Sequence, residues 1–410
     1  MSTKLRIIVT GLIAQHPNLG GIAWHYLHYI LGLSRLGYDI FYFEDSGEYP
    51  YNLDGGPTGN NWISRDCTYN TRNLEKILTR YGLKDKWAYR FPHENKWFGI
   101  SDSHRKRIIN SSDMLINVSG TLEKPSEYRH IPHLIYIDTD PVITQVKMAM
   151  GEKDFVDRVE AHDIHFSFGE SISSGSNNKG ITWLPTRQPI VLDEWPSTPR
   201  KRERYTTVMS WTSYKPLSYA GQIFGQKDVE FKQFLKLADQ LAPVELEIAL
   251  GRTQHQEWQD GDLKKAPEIV ELVGEVTDWS PEDLLRKAGW FVVDSIKTCG
   301  NLDSYREYIH SSKGEWSVAK NAYVKGQPGW FSERSACYLA SGKPVIVQDT
   351  GFSSVIPTGE GILSFNNVQE AVEAINQVED EYEIHTKAAR EIAENYFDSD
   401  KVLTNLIDRL

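Results

Sequence analysis

The stretch 329–351 reads GWFSERSACYLASGKPVIVQDTG and carries the strongest local signal in the sequence. Its pattern predicts a loop, a helix over 332–341 that ends at Gly342, and a buried strand over 344–347. A helix that stops at a glycine and leads into an apolar strand is the repeating step of α/β folds.

The first turn of this helix is a candidate anion site. It contains Ser332, Glu333, Arg334 and Ser335. Backbone N–H groups are free in a first helical turn and the helix dipole is positive there, which suits a diphosphate. Arg334 would add a bidentate contact to phosphate. The alternative interpretation is a capped helix in which Arg334 pairs with Glu333 or with another acid.

Strand-like and helix-like segments alternate along nearly the whole chain, which is typical of α/β folds with parallel sheets. The expected strands are 6–9, 38–43, 114–118, 133–137, 164–168 and 181–184 in the first half, and 206–210, 244–250, 290–293 and 344–347 in the second. A helix is expected from Asp228, with Phe231, Phe234, Leu235 and Ala238 on one face.

This alternation lapses at a proline-rich, charged segment, which we interpret as an interdomain linker. The predicted organisation is an N-terminal Rossmann-like domain over 1–190, a linker over 191–204, a C-terminal Rossmann-like domain over 205–378, and terminal helices over 379–410 that pack back on the N-terminal domain. The basic run 200–204 is expected to be solvated linker rather than a phosphate patch. The Gly-, Pro- and Asn-rich stretch from Ser46 to Asn61 is expected to be a functional loop.

Composition excludes several function classes. The 410 residues carry a net charge of −11, which argues against the basic surface that nucleic-acid binding requires. Three widely spaced cysteines provide neither a disulfide framework nor a cysteine-type zinc site, and they fit a reducing compartment, so we expect a cytoplasmic protein. The apolar run over 4–14 is too short to cross a bilayer, and no transmembrane segment is predicted.

The helix–Ser-Gly-Lys-Pro-Val–strand segment resembles the nucleotide-sugar-binding segment of GT-B glycosyltransferases. The wider stretch 314–351, together with 20–25 and 32–37, resembles a bacterial glycosyltransferase-like group. The resemblance implies two Rossmann-like domains with parallel sheets that face each other across a cleft. It implies a hexosyltransferase-type enzyme without a metal or other cofactor, whose partners are a nucleoside diphosphate sugar, held by the C-terminal domain, and a small-molecule, lipid or glycan acceptor, held by the N-terminal domain.

The sequence departs from that family at its glutamate pair. Retaining members place two glutamates at positions that correspond here to Gly329 and Cys337. We expect Glu315 to replace the first and Glu333 to replace the second, which normally holds the donor ribose. Lys320, in the same stretch as Glu315, is also assigned to donor binding. Whether the sugar configuration is retained or inverted stays open.

Two lysines after the first strand of the C-terminal half are further candidates for the donor phosphates. The resemblance places a phosphate-binding Arg or Lys in this region, and a lysine ammonium suits that role as a point charge. Lys227, just before the helix that starts at Asp228, is preferred, and Lys215 is the second choice. The alternative is that both are ordinary solvent-exposed lysines.

The loop after the first strand of the chain holds candidates for catalysis. Gly20 and Gly21 would let the backbone approach donor phosphate or acceptor closely. His16 and His25 flank them, and either could act as an acid or base. The alternatives are an ordinary βα turn and two structural histidines.

Asp138 and Asp140 follow the apolar strand 133–137 and form an Asp-x-Asp sequence. This pattern resembles the metal site of the other large glycosyltransferase fold, in which two carboxylates hold a divalent ion. In a GT-B fold, where no metal is needed, one of the two would instead be a general base for the acceptor hydroxyl. We adopt the metal-free interpretation and expect no metal site.

Two rival functions remain. Glu44 and Asp45 end the second strand, where an NAD-dependent Rossmann enzyme places its ribose ligand, but the Gly-x-Gly-x-x-Gly turn is missing. The other rival is a non-catalytic nucleotide- or sugar-binding relative, which the altered glutamate pair favours. Retained turnover or donor hydrolysis would distinguish this relative from an enzyme.

Overall fold

The structure is a computed structural model that describes residues 4–51, 63–172, 180–251 and 280–410. Its contacts divide the chain into two units. The first unit comprises Met1–Val191, Gly300–Leu302 and Phe397–Leu410, and the second comprises Leu192–Cys299 and Asp303–Tyr396. Residues 52–62, which include most of the predicted loop from Ser46 to Asn61, lie outside the described residues.

The first unit is built on an eight-stranded sheet. Its strands are β1 (Arg6–Thr10), β2 (Asp39–Glu44), β3 (Trp87–Phe91), β4 (Lys96–Gly99), β5 (Met114–Val118), β6 (His133–Asp138), β7 (Ile164–Ser167) and β8 (Trp183–Pro185), in the order β4-β3-β2-β1-β5-β6-β7-β8. Every pair is parallel except β3 with β4. The central strands are near-continuous apolar runs, because helices cover both faces of a parallel sheet.

In the described part of this unit, five α-helices precede β8. They are α1 (Gly20–Arg35), α2 (Thr68–Arg80), α3 (Asp102–Asn110), α4 (Ile143–Met150) and α5 (Lys153–Glu160). Helix α1 connects β1 to β2 and is buried along most of its length, which explains its apolar sequence.

The second unit repeats this plan. Its strands are β9 (Arg204–Ser210), β10 (Leu217–Tyr219), β11 (Gln222–Phe224), β12 (Glu245–Gly251), β13 (Phe291–Asp294), β14 (Gly314–Ser317), β15 (Val345–Gln348) and β16 (Ile362–Phe365). The main sheet is parallel, with the order β13-β12-β9-β14-β15-β16, while β10 and β11 form a separate antiparallel hairpin.

The remaining helices follow in chain order. They are α6 (Lys227–Phe231), α7 (Leu237–Gln240), α8 (Pro281–Lys287), α9 (Ser295–Cys299), α10 (Leu302–Ser311), α11 (Asn321–Gly326), α12 (Glu333–Ala340), α13 (Val368–Asp380), α14 (Tyr382–Ile392) and α15 (Ser399–Ile407). No helix in the described part of the chain combines the length and apolar character that a bilayer crossing requires.

The last helix belongs to the first unit, where α15 packs on α1. A β-carbon at Gly32 would lie 2.5 Å from Leu403 Cδ1, so the glycine allows the two helices to approach closely. The start of α15 lies beside Ile190, because Ser399 N donates a hydrogen bond to Ile190 O at 2.9 Å.

Both main sheets have the doubly wound strand order. In each sheet, the first strand of the unit is an interior strand. The strands that follow it in sequence are added on one side of it, and the later strands are added on its other side. The order therefore reverses between β1 and β5 and between β9 and β14. In such sheets, ligands bind beyond the carboxyl ends of the strands at this switch point.

The predicted fold class, two Rossmann-like domains with parallel sheets, is confirmed. The helix expected from Asp228 is wrong in one respect: α6 and α7 are separated by a 3-10 turn over Lys232–Phe234. Phe231, Phe234, Leu235, Leu237 and Ala238 enter the core, whereas Val229 of α6 is exposed. In the basic run 200–204, predicted as solvated linker, Arg202 and Arg204 form salt bridges with the buried Glu247 of β12.

Candidate functional site

The N-terminus of α12 borders a pocket at the carboxyl ends of β14 and β15. Ser332 is the N-cap residue and makes no side-chain capping bond, so the first-turn N–H groups are not used by it. The pocket is partly open to solvent, and its lining includes Ser317, Trp330, Ser332, Ser335, Gln348 and Thr350. A helix N-terminus at such a pocket suits an anion.

Ser335, in the first turn of α12, is a candidate contact for a ligand. Its side chain is 1% exposed and lines the pocket, and its Oγ has no hydrogen-bond partner in the described residues. Buried hydroxyls in native proteins are normally hydrogen-bonded, and an exception calls for an explanation such as a bound group.

Arg334 connects the two strands at the switch point. Its Nε donates to Glu315 Oε1 at 2.5 Å, Nη1 donates to Val208 O at 2.8 Å, and Nη2 donates to Ser317 Oγ at 2.9 Å. The acid that pairs with Arg334 is therefore Glu315 of β14, not Glu333. These contacts use three of the five guanidinium N–H groups, so Arg334 is both a structural tie and a source of positive charge for the pocket.

Lys227 is the first residue of α6, and it is fixed there by the loop before it. Gly225 N donates to Asn321 Oδ1 at 3.1 Å, and Asn321 Nδ2 donates to the buried Glu230 at 2.6 Å. The Lys227 ammonium makes no hydrogen bond or salt bridge within the described ranges.

The charges around Lys227 favour an anion. Burial lowers the pKa of Lys227 well below its usual value, Arg334 and Lys320 lower it further, and Glu315 opposes them. Lys320 Nζ donates to two neutral groups, the hydroxyls of Tyr214 and Tyr323, at 2.8 and 3.2 Å. The three cations Lys227, Lys320 and Arg334 thus lie close to one another and to Glu315. A bound anion would relieve the repulsion among the cations.

Glu333 and Cys337 occupy successive turns of α12. The Cys337 thiol donates to Glu333 Oε1 at 3.1 Å, and Cys337 is fully buried. Burial raises the pKa of Glu333 to about 7, although the thiol contact acts in the opposite direction. Near neutral pH this carboxyl is therefore only partly ionised and adds little negative charge beside Arg334.

The structure thus brings together most of the predicted donor-site residues, which are Lys227, Glu315, Lys320, Ser332, Arg334 and Ser335. Lys215 is exposed between β9 and β10. Sequence reasoning missed Gln348, whose Oε1 accepts from Ala319 N at 3.1 Å and whose Nε2 donates to Glu230 at 2.6 Å. Its position at the end of the strand in the quoted stretch was the only available sign.

In the first unit, His25 lies at the carboxyl ends of β5 and β6. Gly20 and Gly21 open α1, and His25 Nε2 lies 3.3 Å from Ser119 Oγ, which also accepts from Thr139 Oγ1 at 2.8 Å. Burial lowers the pKa of His25 to about 4, so its imidazole is neutral at pH 7, and the same shift makes it a weaker base than an exposed histidine.

His16 lies in the loop between β1 and α1. Its ring stacks on Tyr51 with centroids 4.8 Å apart. Burial lowers the pKa of His16 to about 4 as well. The two predicted histidines are therefore both neutral, but only His25 contacts the hydroxyl groups at the ends of β5 and β6.

Asp138 is held inside the first unit. Its carboxylate is 1% exposed and accepts from Thr144 Oγ1 at 2.7 Å, Gln145 Nε2 at 3.1 Å and Ser167 Oγ at 2.9 Å. These donors occupy the carboxylate and tie β6 to α4 and β7, so the geometry favours a structural role over a metal ligand. Asp140 is partly exposed, and its backbone N donates to Asp138 at 3.1 Å.

In the NAD-dependent alternative, Glu44 and Asp45 would hold the ribose, but both already accept hydrogen bonds from other residues of the protein. Glu44 accepts from Ala14 N at 2.8 Å, and Asp45 accepts from Tyr128 OH at 2.9 Å. Both carboxylates are buried, so neither is presented to a cofactor.

No protein-family model and no curated protein matches this chain. Solved structures do match. An alpha-glucosyltransferase in complex with UDP-glucose and DNA containing an abasic site has a TM-score of 0.60 at 13% identity, with 99% of each chain covered. Sucrose-phosphate synthase from Thermosynechococcus elongatus has a TM-score of 0.54 at 11% identity, covering 99% of this chain and 98% of that one.

HepE from Anabaena, solved with UDP, has a TM-score of 0.52 at 11% identity, and the match covers 99% of this chain and 100% of that one. All three are GT-B glycosyltransferases. The expected resemblance to GT-B proteins is confirmed at the level of the fold.

Proposed function

We propose that this protein is a glycosyltransferase that takes its sugar from a nucleoside diphosphate sugar bound by the second unit. The observation that carries the proposal is the cation group of Lys227, Lys320 and Arg334 beside the pocket at the N-terminus of α12. A diphosphate matches this combination, because it carries several negative charges and many acceptor oxygens.

In this proposal the donor diphosphate lies against the first turn of α12. The N–H groups of that turn and the Ser335 hydroxyl donate to phosphate oxygens, and Lys227 supplies the unpaired positive charge. UDP is the first nucleotide to test, because the similar glucosyltransferase and HepE structures contain UDP or UDP-glucose. Charge that develops on the leaving diphosphate is stabilised by these fixed groups, without a metal ion.

The acceptor is assigned to the first unit. The neutral imidazole of His25, beside the hydroxyls of Ser119 and Thr139, is the candidate base for an acceptor hydroxyl. A hydroxyl of a small molecule, lipid or glycan fits this role equally, so the acceptor is defined only as an alcohol.

One observation favours a second candidate function, a nucleotide-binding protein without transfer activity. The position that corresponds to the ribose-binding glutamate is Cys337, which is fully buried and bonded to Glu333. A binding protein of this kind would keep the diphosphate site but would neither transfer the sugar nor hydrolyse UDP-glucose.

Both candidates predict that UDP stabilises the protein when metal ions are removed. At a concentration about 100 times its Kd, UDP should raise the free energy of unfolding by about 2.7 kcal/mol and the melting temperature by about 5 °C or more. The measurement is a thermal-shift assay with UDP, GDP, dTDP, ADP and NAD, each with and without EDTA. A shift that requires metal, or one with NAD alone, would refute the proposed site, and release of glucose from UDP-glucose separates the enzyme from the binding protein.

We predict that Ser335→Ala weakens UDP binding about three- to tenfold without lowering stability. The Ser335 Oγ has no partner in the described structure, so its removal costs the folded protein nothing while the ligand loses one hydrogen bond. Isothermal titration and thermal unfolding measure the two effects. Ser341→Ala is the matched control at the other end of α12: its buried Oγ donates to Cys337 O at 2.8 Å, so this variant should lose stability and keep UDP affinity. Equal UDP affinities in wild type and Ser335→Ala would contradict the assignment.

A further inference from the structure

Glu44, at the end of β2, has no part in the proposed reaction, yet it holds a loop of the first unit. Its Oε1 accepts from Gln15 N at 2.6 Å, and its Oε2 accepts from Ala14 N at 2.8 Å and from Tyr42 OH at 2.7 Å. The Tyr42 oxygen in turn accepts from Ile13 N at 3.0 Å. One carboxylate therefore fixes three consecutive backbone N–H groups, directly or through one phenol.

Among the described residues, no cation pairs with this carboxylate. Glu44 is fully buried, and the titratable groups that face it are Tyr42 of its own strand, Tyr26 of α1 and Tyr89 of β3. Burial raises the pKa of Glu44 to about 7, even though the hydrogen bonds from Tyr42, Ala14 and Gln15 favour its ionised form. A buried carboxylate without a counter-ion is costly to a fold, so its use to fix a loop implies that the loop needs a defined shape.

The loop that Glu44 fixes is residues 11–19, between β1 and the start of α1 at Gly20. It carries His16. On its other side α2 holds it as well, since Asn70 Nδ2 donates to Ala14 O at 2.7 Å and Asn73 Nδ2 donates to Pro17 O at 3.2 Å. The loop therefore lies at the switch point of the first sheet, where a ligand of this unit would bind.

We propose that Glu44 is a positioning residue whose two carboxylate oxygens set the shape of loop 11–19 and thereby the surface that the first unit presents to its acceptor. The fixing of the loop is independent of the proposed function, and only its consequence for the acceptor rests on that function. Glutamine in place of Glu44 can accept from only one of the two N–H groups, because its amide nitrogen is a donor.

The test is hydrogen exchange of the whole protein, measured by mass spectrometry on peptides that cover 11–19 and, as a reference for the sheet, 114–118. In Glu44→Gln the loop peptide should exchange about tenfold faster, the effect expected when a charge-assisted hydrogen bond to a backbone N–H is lost. The 114–118 peptide should not change. Glu48→Gln, which removes an exposed carboxylate four residues further on, is the matched control and should behave like wild type.

A pH series on the unmodified protein provides the second readout. The folded loop keeps a proton on Glu44 up to about pH 7, whereas a carboxyl exposed to water by loop opening releases it near its ordinary pKa of about 4.5. Protonation therefore favours the closed loop, and this contribution is lost as pH rises from about 4.5 to about 7. After correction for intrinsic exchange, the wild-type loop peptide should exchange about sevenfold faster at pH 6.5 than at pH 5.5, since one pH unit is close to a tenfold change between the two pKa values, and the Gln variant should lose this dependence.

Equal loop exchange in wild type and Glu44→Gln, or faster exchange of the loop and the 114–118 peptide together, would overturn the proposal. If the variant fails to fold, a wild-type loop peptide whose corrected exchange does not rise between about pH 5.5 and pH 6.5 would also overturn it. UDP binding is assigned to the second unit and tests the proposed function separately. Loop exchange can therefore refute the role of Glu44 without refuting the proposed function, and UDP binding can do the reverse.

Discussion

Arg334→Ala should lower the free energy of unfolding of the second unit by about 3–5 kcal/mol, the usual cost of removing one partner of a buried ion pair. Glu315 is fully buried, and its Oε2 already lacks a hydrogen-bond partner in the described residues. Without Arg334, both carboxylate oxygens of Glu315 would be buried and unpaired. UDP binding should also be lost, because the arginine ties the start of α12 to both switch-point strands.

Urea denaturation and UDP titration of the single and double variants separate these effects. In Arg334→Ala combined with Glu315→Gln, the buried charge is gone, so much of the lost stability should return while UDP binding stays weak. A single variant as stable as wild type, or a double variant no more stable than the single one, would show that the pair does not act as described.

Lys227→Met should weaken UDP binding by about ten- to a hundredfold and at the same time stabilise the unliganded protein. The ammonium is buried next to Arg334 and Lys320, and its lowered pKa means that the charged form is disfavoured in the folded state. At pH 7, below the usual lysine pKa, charging Lys227 therefore costs stability, and this cost disappears only as pH rises. Methionine removes the cost, whereas the diphosphate loses a charged contact worth about 1.5–3 kcal/mol.

Thermal unfolding without ligand and isothermal titration with UDP are the two measurements. Each kcal/mol gained by the unliganded protein should raise the melting temperature of the second unit by about 2–4 °C. Lys325→Met is the matched control, since this exposed lysine of α11 donates to Ile223 O at 2.8 Å. It should change neither quantity appreciably. A Lys227→Met protein that is less stable, or that binds UDP normally, would exclude the lysine from the phosphate site.

Local pattern predicted the secondary structure of the stretch 329–351 well. The stretch 329–351 contains its own helix start, glycine stop and apolar strand, and the structure has α12 over Glu333–Ala340 and β15 over Val345–Gln348. These features depend on neighbours in sequence, through the free N–H groups of a helix start and the burial of a parallel strand. They are therefore readable without knowledge of the fold.

Partners that are distant in sequence were not predictable. Arg334 pairs with Glu315 across the strand order, and Asp138 receives a hydrogen bond from Ser167 because β6 and β7 are neighbours. From the sequence alone, Asp138 is a candidate base or metal ligand, because nothing in the sequence shows that Ser167 lies beside it. The role of Glu44 was hidden for the same reason, since its acceptors are filled by backbone N–H groups of a loop about 30 positions earlier.

The placement of α15 has a consequence for biosynthesis. This helix covers α1 at Gly32, yet some 200 residues of the second unit are translated between Val191 and Phe397. At roughly 5–20 residues per second, the ribosome needs about 10–40 s to make them. During that time the emerging first unit exposes the apolar face of α1 to chaperones and to premature aggregation. Its folding can finish only after the second unit has left the exit tunnel.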